Sequence, residues 1–299
     1  MIGSLSRFCS VSAAVVLTAA AVVLPGNPLF AEGASRPESN QIVAIGGSVT
    51  EIVYALGEDN RLIARDSTSI YPAEASSLPD VGYMRALSPE GVLSVNPDLI
   101  LMLEGSGPQE ALDVLHKSGV ALADVPEAYT AEGILRKVRV VGEVLGVPAK
   151  AEALAGKLEE DLAEAQRAAE SRTEGVRVLF VLSTKAGRIL AAGSDTAANG
   201  ILTLAGAENA TSGFSGYKIL SDEAIISAAP DVVLMMDRHG DGDGDASGDA
   251  LFNHPALAQT PAGRNKRLVR MNGQLLLGFG PRTAEAVREL SNRLADTAS

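Results

Sequence analysis

Short apolar runs at 42–45, 62–64, 99–103 and 120–125 have the length and β-branched content of buried strands, and helical patterns at 49–56, 89–95 and 108–118 separate them. That order predicts an α/β layer around a mostly parallel sheet. Two long stretches rich in Ala, Glu, Leu and Lys follow, at 131–145 and 148–172. Pro148 suits a first helical position, so 148–172 reads as one linker helix. The alternation then resumes, with strands at 176–182, 189–192, 232–236 and 267–271 and helices at 196–204 and 282–295. Two lobes joined by a helix are therefore expected.

A repeat supports this division. The segment GYMRALSPEGVLSVNPDLILML at 82–103 returns as GYKILSDEAIISAAPDVVLMM at 216–236. Aligned from Leu87 and Leu220, the copies share Ser88/Ser221, Glu90/Glu223, Ser94/Ser227, Pro97/Pro230, Asp98/Asp231, Leu101/Leu234 and Met102/Met235. Each copy reads as a Ser N-cap, a short amphipathic helix, a Pro-Asp turn and a buried strand. A spacing of more than a hundred residues is too long for a solenoid and fits two similar lobes.

At the N-terminus Arg7 precedes an apolar run at 11–24, then Pro25, Gly26 and small residues near Ala31. This has the form of a secretory signal peptide and is too short to span a bilayer comfortably, so residues 1–31 are expected to be removed on export. Cys9 precedes the apolar run, whereas a lipidated cysteine would follow it. The polar segment 32–40 reads as a flexible N-terminus, 41–147 as the first lobe, 148–172 as the linker and 173–299 as the second lobe.

Composition narrows the partners. The chain of 299 residues carries a formal charge of −12, which becomes −13 once Arg7 leaves with the signal, so nucleic acid is not an expected partner. The single cysteine leaves too, removing disulfides and thiolate metal ligands. The Gly-Asp tract 237–249 lacks the glycine and glutamate spacing of a calcium loop and reads as a solvated loop.

Tyr83 and Arg85 lie two residues apart in a loop, and in an extended segment they would point to one side. A guanidinium beside a phenol favours the phenolate, a hard anionic ligand suited to ferric iron. A tyrosine packed on the first lobe with an arginine in solvent fits the same spacing. Arg238 directly follows the strand 232–236, where it could clamp a carboxylate or pair with one of the neighbouring aspartates. His239 is a possible metal ligand, but three scattered histidines form no zinc constellation. Glu90 and Glu223 each stand two residues past a Ser cap, either complementing the helix dipole or forming a matched docking pair. Gly46-Gly47 lacks the remaining glycines of a dinucleotide fingerprint and the lysine of a phosphate loop, and suits a tight turn.

From IVAIGGSVTEIVYALG through VGYMRALSPEGVLSVNPDLIL to LGFGPRTAEAVREL, the chain resembles the periplasmic haem-binding proteins of bacterial ABC transporters. These belong to the helix-linked substrate-binding superfamily that also includes siderophore and cobalamin binders. The resemblance implies two Rossmann-like α/β lobes with the ligand in the interlobe cleft, and a monomer in the periplasm without catalysis. It implies haem b as the transported ligand, Tyr83 as axial iron ligand, and Arg85 and Arg238 beside the haem. Glu90 and Glu223 would dock on an inner-membrane permease served by a cytoplasmic ATPase. Some family members add a histidine ligand after the first strand of the second lobe; here that turn reads Leu182-Ser183-Thr184-Lys185-Ala186-Gly187, so five-coordinate iron is the expectation. A siderophore or cobalamin binder of the same fold and an exported α/β enzyme using the cleft are the alternatives.

Overall fold

The computed structural model describes residues 40–185, 187–237 and 251–296. The expected signal at 1–31, nearly all of the flexible segment 32–40, Arg238, His239 and all of the Gly-Asp tract after Asp237 lie outside the described residues.

The first sheet contains β1 (Ile42–Ile45), β2 (Leu62–Arg65), β3 (Leu99–Leu103) and β4 (Ala121–Val125), all parallel in the order β2-β1-β3-β4. The two central strands, β1 and β3, are buried along their whole length, which is why their sequences are unbroken apolar runs. Between strands run α1 (Gly47–Ala55), α2 (Pro89–Leu93) and α3 (Gln109–Lys117). The order reverses direction at β1 and β3, so the carboxyl ends of these two strands form the crevice at which such sheets bind ligands.

Two helices lead onward, α4 (Ala131–Val144) and α5 (Pro148–Thr173). Pro148 opens α5, and Ala151, Ala155, Leu158, Leu162, Ala165 and Ala169 form a buried stripe at three- and four-residue spacing. That stripe runs the length of the helix.

The second sheet comprises β5 (Arg177–Lys185), β6 (Arg188–Ala192), β7 (Glu208–Asn209), β8 (Tyr217–Ile219), β9 (Val232–Asp237) and β10 (Leu268–Asn272). Its main path is β10-β9-β5-β6-β8, with β7 beside the start of β5. The strands β10, β9 and β5 are parallel, whereas β6 folds back on β5 and β8 runs antiparallel to β6. The helices of this lobe are α6 (Ala197–Leu204), α7 (Asp222–Ala228), α8 (Pro261–Arg264), α9 (Gly273–Leu277) and α10 (Thr283–Asp296).

One buried cluster joins the lobes. It runs from Ile42, Ile100 and Val138 through Leu158 and Leu162 to Phe180, Leu234, Val269 and Leu290. A smaller cluster around Leu179, Val233, Ile225 and Leu257 covers the other face of the second sheet. Accordingly, Glu38–Ser299 forms one compact unit.

Candidate functional site

The floor of the crevice in the first lobe is organised by Asp66, which is fully buried. Its carboxylate accepts from the Gly46 N–H at 3.0 Å, the Thr68 N–H at 3.0 Å, the Thr68 hydroxyl at 2.7 Å and the Ser69 hydroxyl at 2.7 Å. Four donors satisfy the buried carboxylate and tie the β1–α1 turn to the loop after β2. Gly46 has φ 108, and a Cβ there would come within 2.7 Å of the Leu103 Cβ. The glycine pair thus serves the tight turn expected from sequence.

Tyr83 sits on a loop held at both ends. Before it, Val81 N–H donates to Arg65 O and Ser67 N–H to Gly82 O, continuing from the edge of β2, while Gly82 has φ 107 and donates to Asp80 Oδ1. After it, Gly107 N–H donates to Met84 O at 2.9 Å and Leu87 N–H to Gly107 O at 2.8 Å, which fastens the loop beside the segment following β3. The segment is not extended as expected: Ala86 N–H donates to Tyr83 O at 2.8 Å and closes a turn. Burial nevertheless alternates along it. Met84 is buried at 8% exposure while Tyr83 is 45% exposed, and Arg85 is exposed as well.

Arg85 acts on other phenols. Burial raises the pKa of Tyr129 and of Tyr217, and in both the positive charge of Arg85 pulls the other way. Tyr129 precedes α4 and packs edge-on against Phe279, with ring centroids 5.2 Å apart. Tyr217 opens β8 in the second lobe and keeps 40% exposure. The charge of Arg85 thus acts on one tyrosine of each lobe, which was not expected from the sequence. The signal for Tyr217 existed, because Gly82-Tyr83 and Gly216-Tyr217 open the two copies of the repeat.

Next to this site, two buried charged groups span the lobes. Glu51 on α1 accepts from Arg282 Nε at 3.1 Å, Arg282 Nη2 at 2.7 Å and Gln274 Nε2 at 3.0 Å. The Arg282 guanidinium also lies 3.5 Å from the centroid of Tyr71. Lys137 on α4, with no exposed surface, donates to Glu127 Oε1 at 2.7 Å, Phe279 O at 3.0 Å and Ser48 Oγ at 3.2 Å. Burial pushes the Lys137 ammonium down and the Glu127 carboxyl up, each opposed by its partner. Phe279 holds a left-handed φ of 46, and the bond from Lys137 fixes its carbonyl.

Both repeat helices begin as read from sequence. Ser88 accepts from Gly91 N–H at 3.4 Å and Ser221 from Ala224 N–H at 3.2 Å. Glu90 and Glu223 occupy the first turns and are exposed. Among the described residues no group of three His, Cys, Asp or Glu could hold a bare metal ion. None of the helices there is long and apolar enough to cross a membrane. A separate pocket beside Thr184, Asp222 and His254 involves none of the tyrosines.

The family model described as periplasmic binding protein matches residues 42–275. The chain belongs to this family. Among solved structures, this periplasmic binding protein is similar to the periplasmic haem-binding protein BhuT in complex with two haems. The two are 38% identical with a TM-score of 0.81, covering 87% of this chain and 99% of that one. It is 27% identical to the uncharacterized ABC transporter substrate-binding lipoprotein YvrC of Bacillus subtilis over 262 residues, 87% of this chain and 81% of the relative. It is also 27% identical to a vitamin B12-binding protein of Vibrio parahaemolyticus over 251 residues, 84% of this chain and 87% of the relative. The two-lobed α/β architecture is that of the periplasmic binding protein family.

Proposed function

We propose that this protein is the exported haem-binding component of an ABC-type import system. It captures haem between lobes 41–147 and 173–299, joined by the helix 148–172, and delivers it to an inner-membrane permease driven by a cytoplasmic ATPase. The observation that carries this reading is the exposed Tyr83 on a loop pinned from both sides, with an exposed Arg85 two residues on. A preformed phenol suits capture of ferric iron, since phenolate is a hard anionic ligand. Arg85 lies by the iron ligand, and Arg238 at the haem edge supplies positive charge for a propionate. The likeness to BhuT supports haem over other cargo.

The remaining roles follow from this one. Residues 1–31 direct export and are removed, placing the mature monomer in the periplasm, where it performs no catalysis. Glu90 and Glu223 dock on the permease, one from each lobe. The similarity to a vitamin B12-binding protein favours cobalamin as the second reading. Titrating the purified mature protein with ferric haem, and separately with cyanocobalamin, distinguishes them. The haem reading predicts a shifted, saturable Soret band and no cobalamin binding; the reverse result would overturn it.

A further inference from the structure

The second lobe offers a surface that the Tyr83 site leaves unused. Strand β8 lies at the edge of its sheet, with Tyr217 opposite Ala192 and Ile219 opposite Leu190. Directly opposed residues of an antiparallel pair share a face. Ala192 is part of the buried cluster that joins the two lobes, whereas Ile189 and Ala191 belong to the cluster on the other side of the sheet. Tyr217 and Ile219 therefore continue the face that turns toward the first lobe. Helix packing does not cover them there: Tyr217 is 40% and Ile219 51% exposed. Lys218, between them, points to the opposite side and lies 5.2 Å from the centroid of the Phe214 ring.

Two exposed apolar side chains on one short strand have a definite neighbourhood. The Tyr217 phenol feels both Tyr129 and Arg85 of the first lobe, which agrees with a face turned toward that lobe. The internal repeat adds an independent reason. Gly216-Tyr217 opens the second copy as Gly82-Tyr83 opens the first, one residue closer to the shared leucine, and Ile219 stands two residues past Tyr217 where the first copy has Arg85 two past Tyr83. One copy thus presents a phenol with a cation, and the other a phenol with an aliphatic side chain.

We propose that the β8 face carrying Tyr217 and Ile219 is the lobe-two wall of the ligand site, and that the Tyr217 ring lies against the face of the macrocycle turned away from Tyr83. This rests on the haem reading above and specifies how the second lobe contributes to it. Partial burial raises the pKa of the Tyr217 phenol, which suits a stacking ring better than an iron ligand.

The test is ferric-haem titration of the full mature chain by visible spectroscopy, in the wild type and in Tyr217→Ala, Tyr217→Phe and Ile219→Ser. Circular dichroism melts check that each variant folds. Tyr217→Ala should bind about tenfold more weakly and Tyr217→Phe only about twofold, the scale of one aromatic stacking contact. Ile219→Ser should weaken binding by roughly threefold, as expected for loss of an aliphatic contact. All three should keep the wild-type band positions. Wild-type affinity in Tyr217→Ala overturns the inference while leaving the haem reading intact, and so does a change of band positions in Tyr217→Phe, which would make the phenol oxygen an iron ligand. A wild-type protein that leaves the spectrum of free haem unchanged overturns both.

Discussion

Glu51 and Lys137 bridge the contact between the lobes with ionisable groups taken out of water, at a desolvation cost that their partners oppose. Burial pushes the Glu51 carboxyl above its ordinary value of 4.5, with Arg282 pulling the other way. The folded protein then binds this proton more readily than the unfolded chain. The contribution of Glu51 to stability is full below its unfolded pKa and is lost as pH rises through its higher folded pKa. Glu51→Gln removes that titration, so the Tm of the wild type relative to this variant should rise as pH falls from about 7 to about 5. A difference that shrinks on acidification would contradict the assignment. Lys137→Ala leaves Glu127 buried without its cation, and a loss of about 3–5 kcal/mol in denaturant unfolding is expected. These residues were not legible as a network, because their partners are distant in sequence: Glu51 meets Arg282, and Lys137 meets Ser48 and Phe279.

At the scale of elements, we propose that the repeat helices carry the delivery function. Glu223 is held below the usual carboxylate range first by its own backbone N–H and then by Ser221, so it stays ionised for docking. Changing both Glu90 and Glu223 to Ala should leave haem affinity nearly intact and impair haem uptake by cells; normal uptake would return both residues to helix capping. Ser88→Ala and Ser221→Ala should each cost about 1 kcal/mol of stability, read from chemical denaturation. The central strands were legible because burial on both faces demands unbroken apolar runs, as in β1 and β3. Strand β8 was not, since its three residues are all exposed and carry no burial rhythm. The loop of Tyr83 was legible as chemistry but not as a turn, because the bonds from Gly107 that shape it come from a later part of the chain.

For the whole molecule, three features oppose a large hinge motion: the helix α5, the core shared by both sheets, and the Glu51–Arg282 and Lys137–Phe279 bridges. Large closure needs a few residues free to change φ and ψ, and a helix packed along its length has none. Small-angle scattering should give nearly equal radii of gyration with and without haem. A drop as large as that of a hinge-closing binder would mean that α5 does not act as a rigid strut. With closure small, we attribute release to the permease, which prises the lobes slightly apart; the large drop would overturn that as well.

We propose above that the exposed Tyr83, as phenolate, binds ferric haem iron. Visible and electron paramagnetic resonance spectra of the haem-loaded wild type and of Tyr83→Ala test it most directly. The account predicts a high-spin ferric tyrosinate spectrum in the wild type that disappears in Tyr83→Ala; an unchanged spectrum in the variant would contradict it.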